Sequence, residues 1–435
     1  MESIEMLYQI FQNHPNVITD SRKIEKGCLF FALKGERFNG NEYAQEAIEK
    51  GAAYAVIDEK KYKKGDHYFL VEDVLSTLQE LANFHRRRML VPIIAITGSN
   101  VKTTTKELMA AVLNNFYNCH HTKGNLNNHI GVPLTLLEMN AEHDVAIIEM
   151  GANQIGDIEQ LCNIAEPTHG VITNIGKAHL EGFGSIEGIK KGKSELYKFI
   201  HQQQGVLFVN MEEPFLLELS EGLGKRVYYK KSKHPNQYEA PFETVLYQTH
   251  PFVQVGFYNH NFEEILRVDS HLSGGYNFNN IMTAVTIGRY FRVPPLKIKE
   301  AIEQYVPSNN RSQIIKKGSN TFFMDAYNAN PTSMSNALEN FKKVDATKKV
   351  AILGDMLELG AFSEEEHHRI FEKAKSLELD ELILVGEAFK NTQAPLAKHF
   401  DNVEELKSWF EAQAYEHTYF LIKGSRGIKL EELLN

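Results

Sequence analysis

The stretch from residue 91 to residue 116 constrains the fold more strongly than any other part of the chain. Its first six residues, 91–96, form an apolar run rich in β-branched side chains, which is typical of a buried parallel strand. A Gly-Ser-Asn turn follows, and the apolar spacing of residues 102–116 then predicts a helix. A helix that begins with Lys102 and Thr103 after such a turn predicts a phosphate site, because loop N–H groups and the helix N-terminus point at an anion.

The loop departs from the strict pattern G-x-x-x-x-G-K-[ST] at two positions. Ile96 and Val101 stand where that pattern has glycine, whereas Lys102 and Thr103 match it. Taken alone, the stretch also fits an ordinary strand, turn and helix without a ligand. The rest of the chain favours the phosphate site, because it adds polar residues at the ends of further predicted strands.

Length and charge limit the classes of protein to which the chain can belong. A chain of 435 residues is too long for a single core, so we expect about two to four domains. The net charge of −9 argues against a nucleic-acid partner. No apolar run approaches the roughly 20 residues that a membrane span needs, so we expect no membrane insertion.

The cysteines and the first residues indicate a cytoplasmic protein. Cys28, Cys119 and Cys162 are odd in number and far apart, which suggests reduced thiols and no metal site. Residues 1–5 have neither the basic segment nor the long apolar segment of a signal peptide. We therefore expect a cytoplasmic enzyme or binding protein.

Strand and helix patterns divide the chain into three α/β units, residues 1–88, 89–306 and 307–435. The second unit carries the phosphate loop in a predicted parallel sheet and a β-rich stretch at 220–265. The third unit repeats strand and helix about four times, as in a Rossmann-like sheet, but has no G-x-G-x-x-G fingerprint. In the first unit, the segments around Ser21, Arg22, Asn39 and Gly40 are either turns or, through the Arg22 fork, an anion site.

Two candidate metal ligands and a basic helical run follow the phosphate loop. Glu149 ends a buried strand, where carboxyl ends face the ligand crevice, and is therefore a candidate Mg²⁺ ligand or else a solvated strand end. His179 follows another strand and is either a further metal ligand or a structural residue. Lys193 lies in a basic helical run, which usually just faces water.

Clustered asparagines predict polar ligand contacts. Asn125, Asn127 and Asn128 follow Thr122 in a stretch that reads as a structured loop offering amide donors and acceptors. Asn277 and Asn280 lie one turn apart at the start of a predicted helix (281–290), where they either cap the helix or bind an adenine edge.

Taken together, these residues resemble the Mur ligase family. The phosphate loop is similar to the family variant G-[ST]-N-G-K-[ST]-[ST], which Gly98, Ser99, Asn100, Lys102, Thr103 and Thr104 match. The resemblance spans all three units in family order. It continues through residues 122–133, 149–152, 174–184, 192–196, 277–280, 311, 325–331 and 423–426. Within the family, residues 327–331 and 354–360 are most similar to the members that act on UDP-N-acetylmuramoyl-tripeptide and D-alanyl-D-alanine.

The resemblance implies a small N-terminal UDP-binding domain, a central ATPase-like domain and a C-terminal Rossmann-like ligase domain, hinged around ATP. It implies an ATP-dependent amide ligase of peptidoglycan precursor synthesis, and we expect a monomer. Catalytic roles fall on Lys102, Glu149, His179 and carbamylated Lys193, and metal ligation falls on Thr103, Glu149, His179 and Lys193. The implied ATP contacts are Gly98, Ser99, Asn100, Val101, Lys102, Thr103, Thr104, Asn277, Asn280, Arg311 and Asp325. The expected substrate contacts are Ser21, Arg22, Asn39, Gly40, Thr122, Asn125, Asn127, Asn128, Asn328 and Asn330.

Two alternatives stay open at this point. Another ligase of the family, adding a single amino acid, would be favoured by a D-N-P-R motif, but Asn330-Pro331 is followed by Thr332. A binder of UDP-sugar peptide with impaired catalysis would be favoured by Val101, which stands where the family has glycine. A second departure is Tyr276, where many members carry histidine.

Overall fold

The structure is a computed structural model that describes residues 3–232, 242–259, 264–308, 310–390, 392 and 397–434. The expected α/β class is confirmed, because sheets with parallel strands alternate with helices along the chain. Parts of the predicted β-rich stretch 220–265 lie outside the described residues, as does residue 309. No helix in the described part of the chain is long and apolar enough to cross a membrane.

The N-terminal unit is built on a small parallel sheet. Among the described residues this sheet has four strands, in the order Val17–Ile18, Leu29–Phe31, Tyr54–Ile57 and Tyr68–Leu70. A hairpin of Lys34–Gly35 and Phe38–Asn39 stands beside it. The helices of this unit are Ile4–Asn13, Ala44–Glu49 and Val74–Arg86, with 3₁₀ turns at Ser21–Lys23, Gly40–Tyr43 and Lys60–Tyr62.

The central unit contains a long sheet that is only partly parallel. Within the described residues nine strands lie in the order Glu264–Asp269, Gln254–Asn259, Glu243–Gln248, Lys225–Lys231, Val206–Asn210, His169–Ile172, Ile93–Thr97, Val145–Glu149 and Cys119–His121. The prediction of a parallel sheet is wrong at one edge, where Gln254–Asn259 pairs antiparallel with both its neighbours. Its connection to the preceding strand, residues 249–253, is too short for the crossover that a parallel pair needs.

The helices of the central unit frame the phosphate loop. They are Lys102–Asn114, Gly131–Leu137, Asp157–Ala165, Leu180–Phe183, Ile186–Gln202, Pro214–Ser220, Tyr276–Tyr290 and Pro295–Gln304. The predicted helix 281–290 in fact begins at Tyr276, so Asn277 and Asn280 lie inside its first turns. Helices Lys102–Asn114 and Tyr276–Tyr290 pack together through an apolar cluster that includes Leu108 and Ile281.

The C-terminal unit is Rossmann-like, as expected. Its described strands lie in the order Gln313–Lys317, Asn320–Met324, Thr418–Lys423, Lys348–Gly354, Glu381–Val385 and Lys398–Phe400. All neighbours are parallel except the first pair. The helices are Pro331–Lys342, Ser363–Lys375, Glu387–Lys390 and Val403–Glu411, with 3₁₀ turns at Gly360–Phe362, Arg426–Ile428 and Leu430–Leu434. The unit boundaries at 88/89 and 306/307 stay a prediction.

Three central strands end together beside the phosphate loop. Ile93–Thr97 lies between Val145–Glu149 and His169–Ile172, and all three run parallel. Their carboxyl ends therefore meet at one edge of the sheet, which is where ligands bind in open α/β sheets. This edge brings the loop after Thr97, the Glu149 carboxylate and the residues after Ile172 together.

Candidate active site

The phosphate loop requires glycine at its first position. Gly98 has a φ of +146°, and a Cβ there would lie 1.9 Å from the Thr173 hydroxyl oxygen. Only a residue without a side chain fits so close to the neighbouring strand end. Gly98 therefore lets the loop turn directly over the sheet edge.

Asn174 and Thr173 hold the loop in place. The Ser99 N–H donates to the Asn174 carbonyl oxygen and the Asn100 N–H donates to the Asn174 side-chain oxygen, both at 3.0 Å. The Thr173 hydroxyl donates to the Asn100 carbonyl oxygen at 2.7 Å. The Ser99 hydroxyl is buried against the backbone of Gly176, at 2.9 Å from both its N and its O.

Val101 occupies a left-handed backbone conformation. Its φ and ψ are 57° and 12°, and it immediately precedes the helix Lys102–Asn114. A β-branched side chain at positive φ is a backbone outlier. Strained residues of this kind persist where the surrounding structure determines them, and they cluster at ligand sites.

Lys102 folds back across the loop. Its Nζ donates to the Gly98 carbonyl oxygen at 2.8 Å. Burial lowers the pKa of Lys102, Arg311 lowers it further, and the carboxylates of Glu149 and Glu358 act in the opposite sense. The lysine that is expected to bind the outer phosphates thus lies among charges from both the central and the C-terminal unit.

Glu149 lies at the centre of a buried polar cluster. Its Oε1 accepts hydrogen bonds from the Thr103 hydroxyl at 3.0 Å and from the Asn127 amide at 2.8 Å. Glu149 is only 1% exposed, and its Oε2 has no hydrogen-bond partner among the described residues. The nearest cation to that oxygen is Lys106, whose Nζ lies 3.8 Å away. A buried acceptor without a donor fits a cation ligand.

His179 and Lys193 lie in different environments. The Nδ1 of His179 lies 2.5 Å from Oε2 of Glu358, and this contact lowers the pKa of Glu358. Lys193 is 1% exposed, and its Nζ has no hydrogen-bond partner in the described part of the chain. Burial lowers the pKa of Lys193 well below its ordinary value, and the charge of Lys102 lowers it further. The expectation that a basic helical run simply faces water is therefore wrong at this position.

Of the two helix asparagines that were predicted to bind the nucleotide, only one lines the cleft. Asn280 does so, and its side-chain oxygen accepts from the Thr105 hydroxyl at 3.1 Å. Asn277 is fully buried behind it, donating to the Ser273 carbonyl oxygen at 2.7 Å and accepting from Asn280 at 2.8 Å. Asn277 therefore orients Asn280.

The C-terminal unit places its own polar groups at the same cleft. Asp325 pairs with Lys423 at 2.6 Å, and the Arg311 guanidinium lies 3.6 Å from the centroid of the Tyr327 ring. The Asn330 amide donates to the Asn100 side-chain oxygen at 2.7 Å. This contact joins the C-terminal unit to the phosphate loop.

A single cleft of about 830 Å³ collects most of the predicted residues. Its lining includes Ser99, Asn100, Val101, Lys102, Thr103, Thr104, Asn125, Asn127, Asn128, Glu149, His179, Asn280, Arg311, Asp325, Asn328 and Asn330. Gly98, Lys193, Asn277 and Thr122 are not part of this lining. The Thr122 hydroxyl accepts from the Glu149 N–H at 2.9 Å, so it supports the carboxylate from within the sheet.

The substrate contacts that were predicted in the N-terminal unit are not part of this cleft. Arg22 is 87% exposed and pairs with Asp20 at 2.8 Å, in the turn that contains Ser21. Asn39 donates to Glu59 at 2.8 Å, and a Cβ on Gly40 would lie 2.3 Å from the Leu33 carbonyl oxygen. The structure thus gives Asn39 and Gly40 roles in the turn, and their substrate contacts stay a prediction.

Three family models match the chain. The Mur ligase middle domain matches residues 96–288, the Mur ligase glutamate ligase domain matches 310–426, and the Mur ligase family catalytic domain matches 15–123. A UDP-N-acetylmuramoyl-tripeptide--D-alanyl-D-alanine ligase of Bacillus subtilis is 34% identical over 96% of this chain and 92% of its own length. The chain belongs to the Mur ligase family.

Solved structures share the fold of this Mur ligase over its whole length. Crystal structure I of MurF from Acinetobacter baumannii is 30% identical, has a TM-score of 0.87, and the match covers 99% of this chain and 97% of that one. The MurF ligase of Thermotoga maritima, solved in complex with ADP, is 25% identical with a TM-score of 0.84, over 100% and 97% of the two chains. The expected three-domain Mur ligase fold is confirmed.

The structure also brings residues to the Mur ligase cleft that sequence reasoning missed. Asn174, Glu358 and Lys423 each lie in a stretch that carried the family resemblance, but none was singled out. Their common signal is a polar residue at the end of a buried strand or shortly after it. Thr105 lines the cleft one turn into the helix, and Lys106 is buried behind it.

Proposed function

We propose that this Mur ligase joins D-alanyl-D-alanine to UDP-N-acetylmuramoyl-tripeptide, using ATP, in cytoplasmic peptidoglycan precursor synthesis, and that it acts as a monomer. The observation that carries the proposal is the single cleft shared by the phosphate loop and residues 325–330 of the C-terminal unit. The relatives of high coverage support the choice of substrates by their names, and the ADP in the Thermotoga maritima structure supports ATP as the nucleotide.

The reaction needs positioning more than covalent help from the protein. The tripeptide carboxylate oxygen attacks the γ-phosphorus of ATP, a new O–P bond forms, and ADP leaves. The amine of D-alanyl-D-alanine then attacks the acyl phosphate carbon, loses a proton and displaces phosphate. Lys102 neutralises the β- and γ-phosphates, and the cleft holds the reacting groups in line.

Mg²⁺ is part of the proposal, and the residues fit it. The unpartnered Oε2 of Glu149 and the Thr103 hydroxyl are the hard oxygen ligands that this cation prefers. When bound, Mg²⁺ would neutralise phosphate charge. His179, paired with Glu358, is the proposed ligand of a second metal.

Lys193 is proposed to be carbamylated. Its buried, unpartnered Nζ and its lowered pKa favour the neutral amine that attacks CO₂. An N–C bond forms, one proton is lost, and the lysine becomes an anion. The remaining predicted contacts are proposed to bind ATP and the tripeptide as the family resemblance assigns them.

Product analysis tests the proposed function. The purified protein, with ATP, Mg²⁺ and UDP-N-acetylmuramoyl-tripeptide, is assayed for phosphate release with D-alanyl-D-alanine present, omitted or replaced by D-alanine. We expect phosphate release only when D-alanyl-D-alanine is present. The mass of the product should equal that of the tripeptide nucleotide with D-alanyl-D-alanine joined through an amide bond. The control variant Lys102→Met should show no turnover. Turnover with a single amino acid would favour another ligase of the family.

One observation favours a second candidate, a binder of UDP-sugar peptide. Val101 holds its positive φ inside the phosphate loop, where strain can cost catalysis. Tight binding of the tripeptide nucleotide without any phosphate release would support that candidate.

A further inference from the structure

Lys106 is a fully buried lysine on the helix that follows the phosphate loop. Its side chain is 0% exposed, and it lies one turn after Lys102 on a helix that is largely buried. Lysine is almost never fully buried unless it is paired. Its surroundings therefore indicate what this charge is for.

Three oxygens take up the donors of Lys106. Its Nζ lies 2.5 Å from the Thr122 carbonyl oxygen, 3.2 Å from the Gly124 carbonyl oxygen and 2.8 Å from Oε1 of Glu107. The charge also faces Oε2 of Glu149 at 3.8 Å. An ammonium has three donors, so all of its hydrogen-bonding capacity is used.

Apart from Glu107, its neighbour on the helix, the partners of Lys106 belong to two different parts of the site. Glu149, with Thr103, forms the proposed Mg²⁺ site beside the phosphate loop. Thr122 and Gly124 begin the loop that continues through Asn125, Asn127 and Asn128, and these asparagines line the cleft. Asn127 itself donates to Glu149, so the loop contacts the carboxylate directly as well as through Lys106.

We propose that Lys106 is a positioning residue that couples the metal side of the cleft to the peptide-substrate loop 122–128. Its charge pairs with Glu107 and also faces Glu149, and its N–H donors hold the start of the loop against the same helix that carries Lys102 and Thr103. The inference rests on the proposed function for the identity of the two ligands. Lys106 itself lies outside the cleft lining, and it acts through Glu149 and the loop.

The two contributions of Lys106 are separable by substitution. Lys106→Gln keeps amide N–H donors for the loop carbonyls but removes the charge beside Glu149. Lys106→Met removes both, and leaves the Thr122 and Gly124 carbonyls without their donor. Lys191→Met is the control, since Lys191 is an exposed lysine on the helix Ile186–Gln202, outside the loop.

Two measurements without peptide substrate carry the test. The Mg²⁺ concentration that half-saturates ADP binding is measured by calorimetry, and amide hydrogen exchange of residues 122–128 is measured in the ligand-free protein. We expect both Lys106 variants to need about 10–100-fold more Mg²⁺, as for other groups that orient a metal ligand. We expect faster exchange of the loop in Lys106→Met alone, and wild-type values of both quantities in Lys191→Met.

Kinetics then distinguish positioning from a general loss of structure. The KM for UDP-N-acetylmuramoyl-tripeptide should rise in Lys106→Met, whereas the KM for D-alanyl-D-alanine should stay at the wild-type value. Wild-type Mg²⁺ dependence in Lys106→Gln, or wild-type loop exchange in Lys106→Met, would overturn the proposal. If Lys106→Met fails to fold, Lys106→Gln still tests the charge. If no ligase activity is found at all, the calorimetry and exchange results still decide the role of Lys106 separately from the proposed function.

Discussion

The side-chain amide of Asn330 donates a hydrogen bond of 2.7 Å to the side-chain oxygen of Asn100. The C-terminal unit thereby contacts the phosphate loop directly. A second contact lies nearby, where Nζ of Lys177 is 2.5 Å from Oε1 of Glu366 and the Lys177 N–H donates to the Thr332 hydroxyl. Glu366 is buried and Lys177 is half-buried, so this ion pair is more than a surface contact.

We expect ATP binding to draw the central and C-terminal units together, and Lys177→Met to weaken that closure. ATP contacts are predicted in both units, at Lys102 and at Asp325. Loss of the bond to Glu366 should shift the equilibrium toward the open form about tenfold or more, because hydrogen bonds to charged groups contribute about 1.5–3 kcal/mol. Small-angle scattering with ATP should then give a larger radius of gyration for the variant than for the wild type.

The control for this prediction is Lys373→Met. Lys373 pairs with Glu339 at 2.8 Å inside the C-terminal unit, so its loss should leave closure unchanged. The hinges are expected near residues 88–92 and 306–311. One unchanged radius of gyration for the wild type with ATP, tripeptide nucleotide and both together would contradict the prediction.

Lys193→Ala should lose most activity, and small carboxylates such as acetate or formate should restore part of it. The reason is that the proposed carbamate would supply a pair of negative oxygens, which an added carboxylate imitates. Turnover is measured at increasing acetate, against chloride at equal ionic strength. Lys191→Ala is the control, because Lys191 is an exposed lysine on the same helix. Wild-type turnover in Lys193→Ala would show that the charge at this position is not needed.

Much of the fold could be predicted because its signals are local. The strand before Gly98, the helix after Val101 and the carboxylate at the end of Val145–Glu149 each follow from a short run of apolar residues and its boundary. The antiparallel edge of the central sheet was missed, because alternation along a strand does not specify the direction of its partner.

The site was harder to predict because neighbouring residues of one type have different roles. Asn280 reaches the cleft while Asn277 supports it, and the difference depends on where the helix begins. The burial of Lys193 and Lys106 depends on how helices pack on the sheet, which the pattern of charges along the chain does not show. The contact between Asn100 and Asn330 depends on the packing of two units and has no local signal.

Glu213 should make the stability of the protein depend on pH. Burial and, to a smaller extent, the charge of Glu212 raise the pKa of this cleft-lining carboxyl to about 7. The folded state thus favours the protonated form, and this stabilisation is lost as the pH rises from about 4.5 to about 7. Glu213→Gln stays neutral, so it should melt at a higher temperature than the wild type at pH 8 and at a similar temperature at pH 4.5.

Differential scanning calorimetry across this pH range measures the effect, which should reach up to about 3 kcal/mol. Glu218→Gln, an exposed carboxylate on the following helix, serves as the control. Parallel pH profiles for Glu213→Gln and the wild type would contradict the prediction.

Val101→Gly should raise kcat/KM for ATP about tenfold or more. The positive φ of Val101 is established by the structure, and a residue held in this region costs on the order of 1–3 kcal/mol. If the loop tilts to relieve that strain, the N–H before Lys102 misses its phosphate oxygen, and even about 1.4 kcal/mol lost at the transition state is roughly tenfold in rate. Stability should change little, because glycine relieves the strain but adds about 0.5–1 kcal/mol of backbone entropy cost on folding. Val101→Ala separates the causes, since alanine keeps a Cβ at positive φ without the γ-methyl groups. Its kcat/KM for ATP should fall between those of the wild type and Val101→Gly. Equal kcat/KM in all three proteins would mean that the loop carries this valine at no catalytic cost.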